Sequence, residues 1–185
     1  KSNITQSLDT AVVPVFSNTA YNMYETVTNG IHQLYQSIQI AINSYYTLSV
    51  LVKWLPLCTR KLLLFPLGSS SVGNTRGGAF DSNGVYTASS SGTGVDCTNA
   101  TAISMGNGWW KLSLTAYSTI AGTGTPGIRL CISESNDSYA GDTNQGVLIG
   151  GIQLEQSNGP TIFAPITTYI PTLKTANNNI PVIES

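Results

Sequence analysis

Charge is what this sequence has least of. Only 9% of its residues are charged, against about a quarter in an ordinary soluble protein. Eight Lys and Arg against nine Asp and Glu leave a net charge of −1, and no basic run occurs. The electrostatic footprint that holds nucleic acid or anionic lipid is therefore missing. Apolar stretches such as 62–67 fall far short of the roughly twenty residues that a membrane-spanning helix needs, so no membrane insertion is expected. Cysteine is scarce too. Cys58, Cys97 and Cys131 are odd in number and widely spaced, which fits neither a disulfide framework nor a zinc site. They are expected as buried free thiols, as in proteins that fold in a reducing compartment.

Catalytic signatures are also missing. There is no G-x-S-x-G, no H-E-x-x-H and no phosphate-binding glycine loop. Residues 68–78 are rich in Gly and Ser but lack the Lys-Ser/Thr ending. Glycoside hydrolysis needs a positioned pair of carboxylates. Among Asp9, Glu25, Asp81, Asp96, Glu134, Asp137, Asp142, Glu155 and Glu184 no pair stands out. No enzyme is expected. The single histidine, His32, lies in an amphipathic segment and reads as a packed or surface residue rather than a base or ligand.

What is abundant are strand and turn formers. Ser and Thr fill 43 of 185 positions, with 15 Asn and 18 Gly. Such a composition favours strands over helices, and 41% hydrophobic residues argue against disorder. Period-two runs occur at 46–53, 109–117 and 147–155. Further strands are expected at 32–42, 100–105 and 128–133, with loops at 68–78, 88–94, 121–127 and 135–145. Asn107–Gly108 and Asn29–Gly30 read as turns, because Asn and Gly tolerate positive φ. The expected fold is all-β, a two-sheet antiparallel sandwich. Leu48, Val50, Val52, Leu112, Leu114, Leu148, Ile152 and Leu154 should form its buried face. One domain is expected over 1–172, with the first twenty or so residues as an arm or linker. A polar tail follows at 173–185.

Several blocks recur in a familiar order: 46–53 reads YTLSVLVK, 80–84 reads FDSNG, 106–110 reads GNGWW, 150–155 reads GGIQLE and 169–172 reads YIPT. Glu25, Gly30, His32, Leu34 and Gln36 fit a spaced E…G.H.l.Q pattern, and Tyr139, Gly141 and Asp142 fit Y.GD. Over 20–172 the chain resembles the jelly-roll modules, similar to carbohydrate-binding modules, of bacteriophage head fibres, tail fibres and tailspikes. One departure is Gly150, where such modules often carry Trp.

The resemblance implies a jelly-roll topology and a virion location on a fibre, spike or capsid surface. It also implies a homo-oligomer, with a trimer favoured, and other virion proteins and host or environmental glycans as partners. A purely structural module and an accessory domain of a polysaccharide-degrading tailspike are the rival functions.

Candidate contacts follow from strand parity. Trp110 shares a face with Leu112 and Leu114, so Trp109 points the other way, either as a sugar platform or as a plug at the end of the sandwich. Lys53, Lys111, Gln153 and Glu155 share that outward parity. They make either a cross-strand ladder of charges or a hydrogen-bonding surface for glycan hydroxyls. Tyr139 in its polar loop is a further glycan candidate. Asp137, Asp142 and Asn144 are oxygen donors in one loop and form either a calcium site or Asx turns. No other cofactor is expected.

Overall fold

Alternation and turn chemistry produce the architecture that the composition calls for. The computed structural model describes residues 1–13, 16–68, 77–88 and 97–157. Among these there are strands and no helix. The strands are β1 (Ile4–Val13), β2 (Phe16–Glu25), β3 (Asn29–Tyr35), β4 (Ile38–Ile40), β5 (Ser44–Trp54), β6 (Lys61–Phe65) and β7 (Gly78–Phe80). They continue with β8 (Tyr86–Ala88), β9 (Thr98–Gly106), β10 (Trp109–Ser118), β11 (Gly122–Gly124), β12 (Gly127–Cys131), β13 (Ser138–Ala140) and β14 (Gly146–Ser157). The YIPT block and the C-terminal tail lie outside the described residues.

Two six-stranded antiparallel sheets result, ordered β1-β2-β14-β5-β10-β9 and β13-β3-β12-β6-β7-β8, with β11 and β4 as a separate pair. The chain crosses between the sheets from β2 to β3, from β3 by way of β4 to β5, from β5 to β6, from β8 to β9, from β10 by way of β11 to β12 and from β13 to β14. Their inner faces share one core. Met23, Leu48, Val50, Val52, Leu112, Leu114, Val147 and Ile149 of the first sheet pack on Leu62, Leu64, Phe80, Ile128 and Leu130 of the second. The protein is thus an antiparallel β-sandwich.

Two recognisable blocks meet at one edge. Trp109 pairs with Gly106 across Asn107 and Gly108, whose φ angles are 52° and 78°. Positive φ at both central residues is what a tight hairpin requires. The next residue, Trp110, lays its ring on Gly84: a Cβ there would come within 2.6 Å of Trp110 Cζ3. Asp81 shapes that turn by accepting the amides of Asn83 and Val85, each at 2.9 Å.

Several elements differ from expectation. The segment 32–42 divides into β3 and β4, and the supposed loops at 121–127 and 135–145 contain β11 and β13. Residues 4–13 and 16–20, expected as an arm or linker, form β1 and the start of β2, and Val13 and Ala20 lie on the outer face of the first sheet. There Val13, Ala20, Leu51, Trp109 and Leu148 make a second apolar cluster. Leu148 is buried as expected but on this opposite face. The pairing of β14 with β5 shifts between Ile149 and Gly151, and a bulge reverses side-chain parity beyond it. Val147 and Ile149 therefore face inward before the bulge, and Ile152 and Leu154 after it.

Truncating Leu114, which is fully buried, to Ala should cost roughly 2–5 kcal/mol in urea unfolding. A loss below about 0.5 kcal/mol, the scale of a surface change, would mean that this face is not the core.

Candidate functional site

The outward residues of the first sheet form a polar strip. Strand register aligns Gln153, Ser49, Ser113 and Thr101 in one row across β14, β5, β10 and β9. Glu155, Thr47 and Thr115 form the next row, and Ser157, Tyr45 and Tyr117 the one after. Hydroxyls pair along these rows. Thr47 Oγ1 and Thr115 Oγ1 are 2.8 Å apart, and Thr101 Oγ1 and Ser113 Oγ 2.6 Å. The Tyr45 and Tyr117 rings stand 4.7 Å apart, and the Tyr117 hydroxyl donates to Asn43 Oδ1.

Gln153 Nε2 donates to Glu155 Oε1 at 3.2 Å, while its buried Oε1 has no partner. The neighbouring carboxylate fixes that amide orientation, since a flip would set oxygen against oxygen. Lys111 belongs to the adjoining row with Leu51. Burial pushes its ammonium below the usual lysine range, and the charge of Glu155 opposes the shift. Gln153 and Glu155 thus meet directly, and Glu155 acts on Lys111 only through its charge. Lys53 sits one row further, opposite Trp109, with its stem against Gly108.

Trp109 itself is only 2% exposed. It points outward as parity requires, but Val13 and Ala20 cover it along with Leu51 and Leu148. The expectation of a sugar platform is corrected: the ring is packing.

Tyr139 is corrected likewise. It is buried in β13, and its hydroxyl donates to Glu25 Oε1 at 2.5 Å. Glu25 has no exposed surface. Arg60 donates to both of its oxygens, at 2.8 and 3.3 Å, and the Asp142 amide donates to Oε2 at 2.8 Å. The Arg60 guanidinium also lies 4.8 Å from the Tyr139 ring centroid. Beside this ring, buried His32 reaches two carbonyl oxygens, Asn3 O from Nδ1 at 2.7 Å and Tyr139 O from Nε2 at 3.2 Å. A Cβ on Gly141 would come within 2.0 Å of the Thr26 carbonyl oxygen. The residues of the E…G.H and Y.GD patterns thus build one buried lock. Arg60, its cationic partner, carried no sequence signal beyond lying near a strand start.

The three oxygen donors weighed for calcium are not brought together as a ligand set. Asp137 pairs with Arg129, and Asp142 Oδ1 accepts from both the backbone and side-chain nitrogens of Asn144. No group of three or more His, Cys, Asp or Glu among the described residues is placed to hold a metal ion. The Asx-turn alternative accounts for Asp142 and Asn144. Cys131 is buried, and Cys58 and Cys97 are half-buried. Burial, with Asp137 nearby, pushes the Cys131 thiol up to about 12.

No family model matches this chain, and no curated protein matches it significantly.

Arg60→Met should cost about 3–5 kcal/mol, because it leaves a buried carboxylate uncompensated. Tyr139 supplies a pH signature. Burial, then the Glu25 hydrogen bond and charge, hold its phenol above the ordinary range. The unfolded chain ionises this group near pH ~10 while the folded chain does not. Stability should therefore be intact below that pH and fall as pH rises beyond it. Tyr139→Phe should flatten this alkaline limb in pH-dependent melts, while costing about 1.5–3 kcal/mol at neutral pH for the lost bond to a charged group.

Proposed function

We propose that this chain is a noncatalytic jelly-roll module of a bacteriophage fibre, spike or capsid decoration. It holds host or environmental glycans weakly on the outer strip of its first sheet, and many copies act together. The observation that carries the reading is Gln153. A buried acceptor without a donor costs about 1–3 kcal/mol, and turning that side chain outward would let a sugar hydroxyl satisfy it. Around it lie the hydroxyls of buried Ser49, Ser113 and Thr115, the Tyr45–Tyr117 pair and the partly desolvated Lys111. That mixture suits a polyhydroxyl ligand with apolar C–H faces.

Strand order supports the jelly-roll part of the reading. The set β2-β14-β5-β10 faces the set β3-β12-β6-β7, which is the interleaving that an eight-stranded jelly roll produces when its strands alternate between sheets. The engaged state of the carboxylates favours binding over hydrolysis. Glu25 serves Arg60, Glu134 pairs with Lys61 and Asp137 with Arg129. The trimeric assembly rests on the sequence resemblance.

The rival reading, a purely structural module, draws on a specific observation as well. Thr47 with Thr115, and Thr101 with Ser113, satisfy one another as a stabilising cross-strand ladder would.

A glycan array probed with the multimeric protein separates the two. Binding is expected at millimolar-to-micromolar strength per site, strengthened by multivalency. It should be lost in Gln153→Ala and Lys111→Gln, with melting temperatures unchanged or higher. Retention of no glycan would leave the structural module standing. Release of reducing sugar from host polysaccharide would make the protein an enzyme instead.

A further inference from the structure

Asn-Gly occurs at Asn29–Gly30, Asn83–Gly84 and Asn107–Gly108 among the described residues, and at Asn158–Gly159 outside them. Asparagine is a thermolabile residue, and most so before glycine. With no side chain in the way, the glycine amide nitrogen reaches the asparagine side-chain carbonyl. How each pair is held decides whether it does so. Gly84 is tied down: its amide donates to the Asp81 carbonyl at 3.0 Å, and the Trp110 ring lies against it. The amide of Asn83 donates to Asp81 Oδ1 as well, which fixes the backbone on both sides. Gly30 lies inside β3, paired with Tyr139 of β13, and a Cβ there would come within 2.7 Å of Asn3 Nδ2.

Asn107–Gly108 is held differently. Gly106 and Trp109 form the pair that closes the hairpin between β9 and β10, so the two residues between them stand outside the ladder. Both are exposed. Space around the turn is open: a Cβ at Gly106 would meet nothing within 4 Å, and one at Gly108 would meet only the flexible Lys53 side chain, at 3.4 Å. Gly106, Asn107 and Gly108 hold φ angles of 81°, 52° and 78° in succession, a region that residues other than glycine rarely occupy. Ring closure requires the Asn107 backbone to rotate out of this turn. Local opening of an exposed hairpin tip is among the least costly motions of a folded chain.

We propose that Asn107 is a site of self-modification, converted in the folded chain to isoaspartate and aspartate. Hydroxide removes the Gly108 amide proton, and the nitrogen forms a bond to Asn107 Cγ. The Cγ–Nδ2 bond breaks, and Nδ2 leaves as ammonia with a proton returned by water. A five-membered succinimide remains. Water then opens it at either carbonyl. Cleavage of the bond from nitrogen to Cγ yields aspartate, and cleavage of the bond to the main-chain carbon yields isoaspartate, with the backbone running through Cβ. Both products place a negative charge beside the Lys53 stem. Isoaspartate also lengthens the turn by a backbone carbon. Turn length fixes strand register in a tight hairpin, so the added carbon disturbs the pairing of Gly106 with Trp109, whose ring helps close the outer apolar cluster. Aspartate leaves the backbone length unchanged and tolerates positive φ.

The test incubates the full chain, carrying Asn158→Gln, in mildly alkaline buffer below its melting temperature, with the urea-unfolded chain as reference. Peptide mass spectrometry locates the small mass gain of replacing NH2 by OH, and an isoaspartyl methyltransferase labels the isoaspartate. In the unfolded chain the three remaining Asn-Gly pairs should convert at similar rates. In the folded chain Asn107 should convert several-fold faster than Asn29 and Asn83, and Asn107→Gln should remove the signal. The chain bearing isoaspartate should melt below the Asn107→Asp variant, since only the former has a lengthened turn. Conversion led by Asn29 or Asn83, or equally fast at all three in the folded chain, would overturn the assignment. So would an intact Asn107 after a period that fully converts the unfolded chain. Equal melting of the isoaspartate and aspartate forms would overturn the disturbance of the hairpin.

Discussion

The buried carboxylate of Glu25 is the constraint on which one end of the sandwich depends. An ionised group without water is tolerated only when donors replace its hydration. Here four donor groups do so, and they come from separate parts of the chain. Glu25 closes β2 of the first sheet, and Tyr139 and His32 belong to the second. Arg60 lies in the connection that carries the chain from one sheet to the other. The lock therefore joins both sheets by hydrogen bonds rather than by hydrophobic packing. His32, packed under Tyr139, and the close approach at Gly141 belong to the same requirement. Residues that look catalytic by type, a Glu, a His, an Arg and a Tyr in one cluster, are spent on holding the fold.

That cluster also shows how far the sequence could be read. Period-two runs identified the strands and the inward residues Leu48, Val50, Val52, Leu112 and Leu114, because alternation is a local property. Parity correctly turned Trp109 and Trp110 to opposite sides. Parity says nothing about what covers an outward side chain, and Trp109 is covered by Val13 and Ala20 from far along the chain. The bulge at Gly150 was equally invisible, since one unpaired residue leaves composition unchanged while it moves Leu148 to the other face. Tyr139 read as part of a loop because Asn, Asp, Ser and Gly surround it. Three residues of strand suffice there because β3 supplies the hydrogen bonds. The partners of Glu25 were legible only as spaced motifs, without the reason for their spacing.

Low charge has a consequence for the surface as well. Among the described residues, Arg60, Lys61 and Arg129 are paired with Glu25, Glu134 and Asp137. The outer strip is thus left mainly to hydroxyls, amides and tyrosines, whose contacts are short-ranged. Such groups interact over hydrogen-bonding distances rather than through a long-range field, and Ser49, Ser113 and Thr115 among them are buried.

Gly150 divides that outer face. On one side of the bulge Val13 occupies the space that a side chain at Gly150 would need, 2.6 Å from its Cβ position, and the apolar cluster around Trp109 is closed. On the other side the polar rows begin. An aromatic residue at Gly150, such as the resembling modules often carry, would collide with Val13. The N-terminal hairpin and an aromatic platform therefore compete for one surface. Here the hairpin occupies it, and the polar rows of Gln153, Ser49 and Ser113 begin beyond the bulge.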